Sequence, residues 1–195
     1  MRREAVSVFI AIVIASSFIG VFTDAPKVEE NLCGLTIGFW KTNAAKDLGL
    51  KHGKPQVKMD EYEDLLECVN TTYGSGIDDW SEWNITSLAD DEDLEWALHW
   101  LSYGAYDPDT DEFTNPEASN PQVKARGQLL ALLLTACYKE DYIGAIISVP
   151  GYDYGMKTIS EWISQIISEY NEGHFNVVHE IANYLNEHCA SPYTY

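Results

Sequence analysis

Asp107-Pro108-Asp109-Thr110-Asp111 is the sharpest chemical signal in the chain. Carboxylates at alternate positions of a loop meet the opening requirement of a calcium loop, which takes oxygens at positions 1, 3 and 5. The sixth position is Glu112 where glycine is required, and the twelfth is Ala118 where glutamate is required, so this is not an EF-hand. Asp107, Asp109 and Asp111 therefore stand as a looser candidate calcium site. The plainer reading is a solvated acidic turn.

Other reactive constellations are incomplete. His179-Glu180-Ile181-Ala182-Asn183 lacks the second histidine of a zinc-protease helix. His174 and His179 stand five apart, which does not align them on one helical face. His188 is simply placed to complement a helix C-terminus. There is no Gly-x-Ser-x-Gly elbow and no glycine-rich phosphate loop ending in lysine. Carboxylate pairs of the glycosidase kind need a separation of about 5–10 Å, which a sequence does not display. These residues point to a non-catalytic protein.

Composition narrows the partners. Acidic side chains number 31 against 12 basic ones, for a formal net charge of -19. Nucleic acid is not an expected partner, because phosphate binding needs clustered lysine and arginine. The same balance disfavours anionic lipid surfaces and attracts cations. The aromatics include 6 Trp and 12 Tyr. Trp80, Trp83, Trp96 and Trp100 are candidates for stacking sugars or lining a subunit contact, with core packing expected of at least half.

The four cysteines, Cys33, Cys68, Cys137 and Cys189, include no Cys-x-x-Cys pair. An even count in an exported chain predicts two disulfides with three connectivities. The favoured one joins Cys33 to Cys189 across the two ends and Cys68 to Cys137 between two helices. The sequons Asn70-Thr71-Thr72 and Asn84-Ile85-Thr86 are candidate glycan sites outside the cytoplasm. They predict that 70–86 is exposed surface.

Export is read from residues 1–23. Arg2 and Arg3 precede the apolar run Ala5–Thr23. That run suits a cleaved signal with small residues Ala15 and Ser17, or an anchor of about 17–25 apolar residues. Either places residues 24–195 outside the cytoplasm as one domain.

The elements that must position these groups are helical. A short helix is expected over Thr42–Leu48, then a basic loop over Gly49–Lys58. Tyr62, Leu65, Leu66 and Val69 mark one buried face of a helix over Met59–Val69. Asn70–Ser87 reads as a long turn-rich segment. Ser87 and Asp90 suit the start of a helix that carries Leu94, Leu98 and Leu101 to about Tyr103, where Gly104 stops it. Tyr106–Pro121 reads as a loop, and Gln122–Tyr138 as a central helix apolar almost all round. A short helix is expected over Tyr142–Val149. Thr158 and Glu161 form a capping box before Ile159, Trp162, Ile163, Ile166, Ile167 and Tyr170. Asn176–His188 closes the chain with Val177, Val178, Ile181 and Leu185 inward. No segment alternates with period two. The predicted fold is all-α: one bundle of five or six helices with long loops, preceded by the N-terminal apolar helix.

Two resemblances add to this. Cys33–Asn43, CGLTIGFWKTN, resembles a motif of exported archaeal and bacterial surface proteins that reads Gly-Tyr-Trp-Lys-(Thr/Asn)-His. Gly38, Phe39, Trp40 and Lys41 match its core, with Phe39 for tyrosine and Asn43 for histidine. Gln128–Leu134 and Thr158–Asn186 look similar to later parts of those proteins. The resemblance implies a secreted or surface helical domain without established catalysis. Read from the residues alone, Gly38 makes a tight turn, Trp40 anchors the core and Lys41 points outward.

Arg2-Arg3-Glu4-Ala5-Val6-Ser7, before Val8-Phe9-Ile10, resembles the start of archaeal type IV pilins. Val8 replaces the usual proline, and the glycine that often follows is absent. This resemblance implies an apolar helix that packs with its copies in a filament core. The combined expectation is a non-catalytic, extracellular cell-surface structural protein that self-associates into a filament or sheath. A secreted calcium- or glycan-binding module is the alternative, and a secreted hydrolase the second.

Overall fold

A computed structural model describes residues 32–86 and 91–190. The signal, anchor or pilin-like helix and the Ser87–Asp90 cap lie outside the described residues.

The described chain runs β1 (Leu32–Cys33), α1 (Ile37–Asp47), α2 (Met59–Tyr73), α3 (Asp91–Leu101), β2 (Tyr106–Asp107), β3 (Glu112–Phe113) and α4 (Pro121–Tyr138). It continues through β4 (Ile146–Ser148), β5 (Met156–Thr158), α5 (Ile159–Asn171), α6 (Phe175–Glu187) and β6 (Cys189–Ala190). Three antiparallel pairs, β1–β6, β2–β3 and β4–β5, stitch the helices together. The fold is thus mainly helical, and the all-α expectation is corrected by these small sheets. No helix among the described residues is long and apolar enough to cross a membrane.

α4 is the axis, packing against each of the other five helices. Its start is set by Asn120, whose side chain accepts from Gln122 N, with Pro121 at the first helical position. Leu129, Leu130, Leu132, Leu133 and Leu134 are all fully buried. A leucine so enclosed contributes about 1.5–3 kcal/mol by burial. Gly127 lets α4 approach α3 closely: a Cβ there would sit 2.6 Å from the carbonyl oxygen of Trp100.

α2 buries Tyr62, Leu65, Leu66 and Val69, the face its spacing predicts, but runs on to Tyr73. α5 begins with the capping box, Glu161 N donating to Thr158 Oγ1 at 3.2 Å and Thr158 N to Glu161 Oε2 at 2.8 Å. Cys33 is bonded to Cys189 and Cys68 to Cys137, and the described residues include no free cysteine. Both bridges are compatible with an oxidising or extracellular setting.

Two local expectations fail for identifiable reasons. Tyr142–Val149 is not a helix: Ile146, Ile147 and Ser148 pair with Thr158, Lys157 and Met156. β-branched Ile146, Ile147 and Val149 favour extended backbone, and Pro150 stops a helix from continuing. Tyr106–Pro121 likewise holds the β2–β3 pair instead of an unbroken loop.

Candidate functional site

The Gly38–Lys41 motif lies inside α1, which starts earlier than expected. Thr36 caps it, accepting from Phe39 N at 3.2 Å. Gly38 is therefore a helical residue and makes no tight turn. Trp40 is fully buried, donating through Nε1 to Thr135 Oγ1 of α4 at 3.1 Å, and its carbonyl accepts from Tyr62 Oη at 3.2 Å. Lys41 is exposed.

Asn43, one turn on, is the motif residue with the most consequence. Its Nδ2 donates to Phe39 O at 2.9 Å, and its Oδ1 accepts from Gln56 N at 2.6 Å and Val57 N at 3.4 Å. It thereby pins the basic loop after α1 back onto the helix. Lys46 adds a bond from Nζ to Lys54 O at 3.2 Å.

Beside that loop, which contributes Leu50, lies a pocket of about 360 Å³. Asp47 and Leu48 at the end of α1, Leu50, and Met59 at the start of α2 line it. Glu95 from α3 completes it, together with Tyr106 and Asp111 from the β2–β3 hairpin. Three carboxylates from three separate elements thus share a pocket with an apolar wall.

Asp47 is unusual among them. Its Oδ2 is buried and has no hydrogen-bond partner. Burial, and then the nearby charge of Asp60, push its carboxyl up to about 6. Asp111 is held differently. The fully buried Tyr106 donates from its hydroxyl to Asp111 Oδ1 at 2.7 Å. Burial, followed by that bond, raises the phenol far above its usual value, so it donates at every physiological pH.

Of the expected calcium ligands, only Asp111 reaches this pocket. Asp107 spends Oδ1 on Asp109 N at 3.0 Å, and Asp109 is exposed at the hairpin tip. The three do not form a converging cluster.

The sequons also separate. Asn70 lies on α2, half-buried, its Oδ1 accepting from Trp80 Nε1 at 2.7 Å. Asn84 is exposed, at a left-handed φ of 52° that ends the Trp80–Trp83 turn. The expectation that 70–86 is exposed surface is corrected by buried Ile77, Trp80, Trp83 and Ile85. Trp80, Trp83 and Trp100 are core residues, leaving Trp96 half-buried among the four tryptophans proposed for stacking.

A second polar constellation, buried Arg126 with part-buried Asp79, lies between α4, α5 and the Trp80–Trp83 turn. Arg126 pairs with Asp79 and, at 2.8 Å, with Glu82 Oε2. Its Nε donates to Tyr170 Oη at 2.8 Å, and that hydroxyl donates to Asp79 Oδ2 at 2.9 Å. Gln122 Nε2 and Trp83 Nε1 also donate to Asp79, each at 3.1 Å. The guanidinium lies 4.6 Å from the Trp100 ring centroid, a cation–π arrangement. Burial alone would raise Asp79, but the bonds from Arg126 and Tyr170 outweigh it and hold the carboxyl below its usual range. Burial pushes the Tyr170 phenol up to about 12. This network is internally complete, as a structural clamp requires.

Sequence reasoning misses Asp47, Glu95 and Tyr106, which carry no motif. No protein-family model, no curated protein and no solved structure matches the chain.

Proposed function

We propose that the chain is an extracellular, cell-surface binding protein whose pocket takes a cation. The observation that carries this is Asp47, a carboxylate with a buried, unpartnered oxygen, sharing a pocket with Glu95 and Asp111. A carboxylate whose charge is costly gains most from an incoming positive charge. Leu48, Leu50 and Met59 add an apolar wall, which suits an ammonium or guanidinium on a short alkyl stem better than a bare ion. Hydrated calcium is the inorganic competitor for the same carboxylates.

The two disulfides and the acidic surface support the extracellular setting. Glycan attachment, on this reading, belongs to exposed Asn84 before engaged Asn70.

Calorimetry with N-acetyl-lysine amide and with calcium chloride tests the reading. Heat is expected with the ammonium at pH 7.5, reduced at least tenfold in affinity by Asp47→Asn. Affinity should fall as pH drops through about 6, because a protonated Asp47 offers no charge. Absence of heat with both probes at millimolar concentration would overturn it.

A second reading has one observation in its favour. A carboxyl pushed up to about 6 beside two further carboxylates is the pattern of an acid–base pair. Turnover of an oligosaccharide that Asp47→Asn abolishes would move the hydrolase reading ahead.

A further inference from the structure

Away from the pocket, the turn between α5 and α6 gathers a second set of donor atoms. Gly173 takes a φ of 80°, which reverses the chain directly after Glu172 and brings His174 back over the last turn of α5. His174 N donates to Glu169 O at 2.9 Å, fixing the backbone of that reversal. Glu169, Glu172 and His174 then offer one donor each, all within 4.8 Å of one another. His174 Nδ1 is hydrogen-bonded to Glu169 Oε2 at 2.8 Å and lies 3.6 Å from Glu172 Oε2.

Those separations suit a small tetrahedral ion. Nitrogen and oxygen donors at about 2.0–2.2 Å from zinc stand about 3.4 Å from one another. The 3.6 Å spacing is close to that value, and the 2.8 Å spacing is that of the hydrogen bond an ion would replace.

The least exposed of the three groups is also aimed. Glu169 Oε1 accepts from Gln165 Nε2 at 2.9 Å and from Tyr154 Oη at 3.1 Å, which leaves Oε2 directed at His174. Gln165 is itself oriented, its Oε1 accepting from Lys157 Nζ at 3.5 Å, so that its NH₂ faces the carboxylate. Tyr154 and Lys157 come from the β4–β5 segment, so two separate parts of the chain set one carboxylate. Metal-binding carboxylates and imidazoles are characteristically held by such outer partners.

We propose that Glu169, Glu172 and His174 form a site for a divalent transition metal, best suited to zinc. Solvent completes the coordination, because His174 and Glu172 are exposed. The imidazole nitrogen selects zinc, cobalt or nickel over calcium and magnesium, which take oxygen. This site is independent of the pocket and of the ligand proposed for it.

The test is zinc calorimetry and cobalt visible absorption on the full chain, with circular dichroism to verify folding. One ion per chain is expected, with binding lost in His174→Ala and in Glu169→Gln. Tyr154→Phe should weaken binding about tenfold without abolishing it, as loss of an orienting bond does. His188→Ala should leave the isotherm unchanged. Excess calcium should not compete. Absence of saturable zinc binding, or unchanged affinity in His174→Ala, would overturn the proposal.

Discussion

Asp79 and Asp47 carry the same side chain, and the fold drives their acidity in opposite directions. Asp79 is surrounded by donors: Arg126, Tyr170, Gln122 and Trp83. Burial opposes its charge, yet those donors win and its carboxyl stays ionised. Asp47 meets burial and a like charge from Asp60, with one oxygen left unpartnered. One environment has spent all its hydrogen-bonding capacity internally, and the other retains some for an incoming group. Perturbed acidity alone would have flagged both, and the inventory of partners tells clamp from candidate site.

The largest expected effect comes from breaking the complete network. Arg126→Met leaves Asp79 without its cation and should cost about 3–5 kcal/mol in denaturant unfolding at pH 7. Adding Asp79→Asn should recover part of that loss, since the stranded charge is what destabilises. A single-variant cost below 1 kcal/mol would show that the network is ornamental.

The pocket should behave with the opposite sign. Asp47 has a folded-state value raised to about 6, above an unfolded value near ~3.9. Its contribution to stability is therefore fully present below about pH 4 and lost as pH rises through about 6. Asp47→Asn should stabilise the protein at pH 7.5 by about 1 kcal/mol, discounted for solvent screening, and make no difference at pH 4. Thermal melts at the two pH values decide this. A destabilised variant at pH 7.5 would mean that Asp47 has a structural partner after all.

The smallest effect sharpens the contrast within the pocket. Tyr106→Phe removes the donor to Asp111 and should cost about 0.5–1.5 kcal/mol. Because it frees the Asp111 carboxylate to swing, cation affinity should drop severalfold, read by the same calorimetry. Unchanged affinity would remove Asp111 from the site.

The sequence exposes these regions unequally. α2, α4, α5 and α6 are legible because apolar periodicity and a capping box are local signals. The β4–β5 pair is hidden, because a short apolar run such as Ile146–Val149 suits helix and strand alike until its partner Met156–Thr158 is known. The clamp left a trace: Arg126 stands inside a helix whose neighbours are nearly all buried. A charge there demands a partner, although nothing local says that it is Asp79. The pocket left almost none. Asp47, Glu95 and Asp111 come from three elements, and their proximity is a property of tertiary packing. Asp111 stands out in the sequence for a different reason, as part of an alternating acidic loop.

The Cys33–Cys189 bridge has a mechanical consequence. β1 enters the domain beside the strand by which the chain leaves it, with Leu32 opposite Ala190 and the bonded cysteines opposite each other. Tension applied to the chain on either side of the domain crosses from Cys33 to Cys189 through one covalent link. The helices between them bear none of it. Intact, the domain is an inextensible knot in whatever thread carries it. Once the bridge is reduced and the domain unravels, a contour length on the order of 500 Å becomes available, although the Cys68–Cys137 loop withholds part of that while it stays oxidised.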